Sequence, residues 1–151
     1  MQQAYKISLL YFLTFCLLLL LSATLLFSHK IGFTPNAVAA YYLGSEIDFT
    51  RTKSDAGILK IILPHIFAYA LLLMVLLHFL RFTHYKNKHF MSTLIGTLFI
   101  TAFFEVFTPY LILHISVLFA YAKLASLFLL FILILSVLYL LFASIAFSKN
   151  R

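Results

Sequence analysis

From Leu59 to Phe82 the chain reads LKIILPHIFAYALLLMVLLHFLRF, with basic residues only near its two ends, at Lys60 and Arg81. As a helix rising ~1.5 Å per residue, such a run exceeds the ~30 Å hydrocarbon thickness of a bilayer. Backbone amides in lipid must be satisfied within their own segment, so a run of this kind can only be a spanning helix. It is not alone. Residues 7–28, 91–116 and 122–147 carry three more runs of comparable length and apolarity. With 64% of residues hydrophobic and 10% charged, a soluble interior could not hide this surface, and the bilayer must serve as solvent.

The expected fold is therefore an all-α membrane protein, a four-transmembrane-helix bundle with one short extramembrane helix. It forms a single membrane domain over residues 1–151, with spans near 7–28, 57–82, 91–116 and 122–147. The first run is too long for a signal-peptide core, and no small-residue cleavage site closes it, so it reads as a retained helix. The loop 29–56 is the only sizeable polar segment. In it, Thr34-Pro35 has the form of an N-cap followed by a first-turn proline, and Gly44 that of a helix stop, which predicts a short helix over 35–43. Ser54 and Asp55 suit the start of the second span. The third span, with Pro109 inside it, passes into the fourth with almost no polar break. Lys123 and Tyr121 place the turn within 114–122, with Lys123 on its outer side.

Eleven Lys and Arg against four acids give a net charge of +7, distributed over segment ends. That pattern matches lipid headgroups, and no contiguous basic face points to nucleic acid. Lys6, Arg81, Lys86, Lys88, Lys149 and Arg151 fall on one side of the membrane, and Lys30, Arg51, Lys53, Lys60 and Lys123 on the other. The density of Arg81, Lys86 and Lys88 in one short link sets both termini in the cytoplasm. Without tryptophan, interfacial anchoring falls to Tyr5, Tyr11, Tyr41, Tyr42, Tyr85 and Tyr139. The lone Cys16 excludes an intramolecular disulfide.

Several short motifs recur together here: Thr34-Pro35 with Tyr41, Tyr42, Leu43 and Gly44, then Lys53-Ser54, then Pro64-His65 with His78. In this combination the chain resembles a group of small four-helix bacterial inner-membrane proteins. The resemblance implies architecture and location, not chemistry.

Chemistry rests on the ionisable groups inside the spans, which are functional candidates by default. His65 and His78 are thirteen residues apart, hence ~140° around the helix and ~20 Å along it, so they cannot share one iron. Two histidines at different depths do suit stacked b-type haems, each needing a second ligand from another helix. His114 lies ~9 Å further out than His65, and His78 has no histidine at its depth, so a complete site would form most easily across a homodimer or with another subunit of a larger membrane complex. The bland alternative is a packed imidazole, His65 bonding to Tyr69 or Thr108. Glu105 is the only acid within a span, with Thr101 and Thr108 on its face and His65 nearest its level. It is read either as a proton relay with His65 or as a neutral acid locking two helices.

Three function classes follow: a non-catalytic membrane subunit or accessory protein, which the sequence favours; a b-type haem electron carrier; and a small proton-coupled or metal transporter using Glu105 and His65. No nucleophile–base constellation or phosphate loop points to a self-contained enzyme.

Overall fold

The computed structural model describes residues 3–47, 49–81, 83 and 88–146. Asp48, most of the basic link with His84, Tyr85, Lys86 and Asn87, and the C-terminal stretch with Lys149 and Arg151 lie outside the described residues. Five helices follow in order: α1 (Gln3–Lys30), α2 (Pro35–Leu43), α3 (Asp55–Arg81), α4 (Lys88–His114) and α5 (Phe119–Ala146). Four of them are long and apolar enough to cross a membrane, and α2 is the short extramembrane helix.

Local signals fix the ends of the elements. Thr34 is extended and its hydroxyl accepts from the Ala37 amide at 3.2 Å, while Pro35 opens α2 without wasting a donor. At the other end Gly44 has φ of +86°, and its amide donates to the Ala40 carbonyl. A Cβ there would stand 2.6 Å from the Thr50 carbonyl oxygen, so only glycine fits. The loop then folds back on α2: Ser45 and Thr50 exchange backbone hydrogen bonds, Thr52 Oγ1 donates to the Leu43 carbonyl, and the Lys53 amide donates to that of Tyr42. Ser54 caps α3 by accepting from Gly57 at 3.3 Å. Between α4 and α5 the turn occupies 115–118, where the Ser116 hydroxyl accepts from the Leu118 amide.

α5 is the axis of the bundle. It carries the longest set of buried positions and packs against every other helix. α1 meets it through Leu9, Leu13, Cys16 and Leu20, a stripe at helical spacing. Two apolar cores result. One, around Leu73, Leu98, Leu130 and Leu141, fills the half of the bundle away from α2. The other, around Val38, Tyr42, Ile58, Ile62, Val106 and Ile112, brings α2 down into the bundle mouth. Tyr42, expected to serve as an interfacial anchor, is instead 1% exposed within that core. Tyr11 and Tyr139 do face outward. The exposed surface is rich in large apolar side chains such as Phe15, Phe67 and Phe103, as expected where lipid is the solvent.

After Leu20, α1 has no buried residue, and α3 has none between Ile62 and Leu73. Aromatic side chains bridge the two helices at their other ends, where Phe79 packs against Tyr5 and Phe12 with ring centroids 6.0 and 5.2 Å apart. Toward α2 the space between them is left open as a cleft.

Candidate functional site

Inside the bundle, a layer of polar groups sits where the two cores meet. It begins with Pro109. A proline has no amide hydrogen, so the carbonyl four residues earlier loses its helical partner, and that carbonyl belongs to Glu105. Lys123 supplies the missing donor from α5: its Nζ donates to the Glu105 carbonyl oxygen at 2.9 Å and also contacts Glu105 Oε1 directly. Both side chains are nearly sealed, Glu105 at 3% exposed and Lys123 at 5%. The Lys123 carbonyl in turn accepts from the Ser126 hydroxyl at 3.0 Å.

This placement corrects two readings from the sequence. Lys123 does not mark a solvated turn; it stands inside α5 and is buried. The group paired with Glu105 is Lys123, not His65. With the turn at 115–118, Lys123 is about level with Tyr110, some five residues or ~8 Å from Glu105, a gap that an extended lysine stem spans.

Around the pair, Thr101 and Thr108 are buried, and the Thr108 hydroxyl donates back to the Phe104 carbonyl at 2.5 Å. Tyr69 stands beside the Glu105 carboxylate, whose Oε2 has no hydrogen-bond partner among the described residues. Tyr42 covers the layer from α2. Its hydroxyl is held well above the ordinary phenol range, first by burial, then by the Glu105 carboxylate and by neighbouring Tyr41, so it remains a neutral donor.

The three histidines do not converge. His65 is exposed and its Nδ1 donates to the Ile61 carbonyl at 2.6 Å, with the ring edge-on to Tyr69 at 6.1 Å. His114 pairs through Nε2 with Asp55 Oδ1 at 2.8 Å, tying the end of α4 to the start of α3. Asp55 is ten residues before His65 on the same helix, or ~15 Å along it. His78 lies at the far end of α3 against Phe79. A haem held by two of them would thus need a second copy of the chain. Among the described residues, no three His, Cys, Asp or Glu side chains gather to hold a metal.

The cleft between α1 and α3 has a volume of about 430 Å³, within the ~300–1,000 Å³ usual for small-molecule sites. Glu105, Lys123 and Tyr69 line its depth, Phe27, Phe128 and Phe131 its walls, and Lys30, Lys60 and His65 its mouth. Sequence reasoning singled out Glu105, Tyr69 and His65 but not the lysines. The missed signal was Pro109, since the carbonyl it frees calls for a donor from a neighbouring helix.

These features define a multi-pass membrane protein, a helical bundle with an internal charged site and a cleft beside it. A family model described as a transmembrane helical domain matches residues 32–151, and the chain belongs to that family. The match takes in α2 to α5, and so the charged pair and all of the cleft but its α1 wall and Ile31. No curated protein and no solved structure matches the chain.

Removing one partner of a buried ion pair leaves the other uncompensated, at a cost of ~3–5 kcal/mol. Lys123→Met is therefore expected to lose about that much stability in unfolding by denaturing detergent. The double variant Glu105→Gln/Lys123→Met is expected to lose clearly less than the two single losses added. Strict additivity would mean that the pair does not interact.

Proposed function

We propose that the protein is a non-catalytic subunit or accessory protein of a bacterial inner membrane, and that its working part is the cleft between α1 and α3, which holds a ligand. The observation that carries this reading is the cleft itself. Around Phe79, aromatic side chains fill the space between α1 and α3. Toward α2 that space stays open over a polar layer whose burial carries a desolvation cost. Haem and proton-transport roles have no comparable support: the histidines are separately engaged, and Lys123 rather than His65 meets Glu105.

Native mass spectrometry of the protein released from mild detergent tests the reading. It predicts a population carrying one small adduct per chain, lost in Ala23→Trp, where a large ring from the α1 wall fills the cleft. Ala23 is exposed, so the change disturbs no core. An adduct-free protein, or an adduct that survives Ala23→Trp, would contradict it.

The orientation we propose, with both termini cytoplasmic, rests on the basic link between α3 and α4. In a Cys16→Ser background, Ile47→Cys is expected to react with a membrane-impermeant thiol reagent on intact cells, because Ile47 is 89% exposed on the α2 side. Asn87→Cys is expected to react only after permeabilisation. The opposite pattern would invert the topology.

A further inference from the structure

The cleft's lining also indicates what it holds. Its long sides are α1 beyond Leu20 and α3 between Ile62 and Leu73, stretches that lack buried residues and face the surrounding lipid. A ligand therefore reaches it sideways from the bilayer. Its walls, among them Leu26, Phe27, Leu127 and Phe128, are apolar, which suits a hydrocarbon chain.

The mouth differs. Lys30 is the last residue of α1 and Lys60 lies in the second turn of α3, so both stand at the level of lipid headgroups. Among the described residues no carboxylate pairs with either: Asp55 meets His114 and Glu105 meets Lys123. Three lysines line the cleft against a single glutamate, and Glu105 is already matched by Lys123. Two ammonium groups at the mouth thus remain to meet an anion, at a low-dielectric boundary where Coulombic attraction is stronger than in water.

The cleft's size, about 430 Å³, suits a hydrocarbon chain. From Lys60 to Tyr69 the cleft runs nine residues, or ~13 Å, inward from the mouth.

Resting on the cleft reading above, we propose that the ligand is an anionic amphiphile, with a hydrocarbon chain between α1 and α3 and its phosphate or carboxylate head on Lys30 and Lys60.

The test uses the full chain in neutral detergent with three probes: a lysophosphatidic acid, the monoacylglycerol of the same chain, and inorganic phosphate. Binding is read by native mass spectrometry and by the rise in unfolding temperature. The lysophosphatidic acid is expected to saturate at one per chain and to bind at least ten-fold more tightly than the monoacylglycerol, with no binding of phosphate alone. Lys30→Gln/Lys60→Gln should bring the anionic probe down to the neutral one, while Arg81→Gln, at the opposite end of α3, should change nothing. Ala23→Trp should abolish both amphiphiles, and Leu26→Trp, at a site 64% exposed, replaces it if that variant does not fold. Equal binding of the two amphiphiles, unmoved by the lysine changes, would overturn the anionic assignment and leave the cleft reading intact. Phosphate alone matching the lysophosphatidic acid would overturn the requirement for a chain. Binding that survives the tryptophan variants would overturn the cleft reading itself.

Discussion

The structure depends on one buried interaction, the clasp of Lys123 on Glu105. Lipid offers no hydrophobic drive for helices to associate, so packing and interhelical polar contacts must supply specificity. Pro109 leaves the Glu105 carbonyl without a helical donor, and a single ammonium group meets both that carbonyl and the carboxylate's Oε1. Neither residue is tolerable alone at that depth. Together they fix how α4 and α5 face each other, because a rotation of either helix would leave a charge unpaired in a nearly sealed interior.

The rest of the bundle arranges itself about that clasp. The polar layer separates two apolar cores, and α2 plugs the one nearer its own end with Val38 and Tyr42. The loop after α2 is held down by backbone bonds to Leu43 and Tyr42, and Lys53 lies over the Tyr41 ring at 4.0 Å. α1 is held along one stripe to α5 and by aromatic contacts to α3 at one end. At its other end Phe27 and Ile31 pack against the α2-side core, and Phe27 meets Phe33, which stacks on Phe128 of α5. The stretch of α1 beyond Leu20 forms one wall of the cleft.

Much of this was legible in the chain. Four apolar runs gave the spanning helices and the fold class, because period and length alone decide what can cross a bilayer. Thr34-Pro35 and Gly44 marked α2, since each residue type solves a specific problem at a helix end. The interior of the site was harder to see. Lys123 follows a tyrosine near a turn, the usual pattern of an interfacial anchor, and its long stem hides how deep its charge reaches. His65 drew attention as a partner for Glu105 through the α3–α4 hairpin, yet the decisive contact runs through the α4–α5 hairpin. The cleft left no trace in periodicity, because it arises where the space between two helices is left open.

The account turns on whether Glu105 and Lys123 meet in a real bilayer. Solid-state NMR of the protein in lipid vesicles, with lysine side-chain nitrogen and glutamate carboxyl carbon labelled, reads that contact directly. With only Glu46 and Glu105 as glutamates, the account predicts one through-space Nζ–Cδ cross-peak from the buried carboxylate, absent in Lys123→Met. A spectrum without the cross-peak, or a Glu105 carboxyl signal unchanged by Lys123→Met, would contradict it.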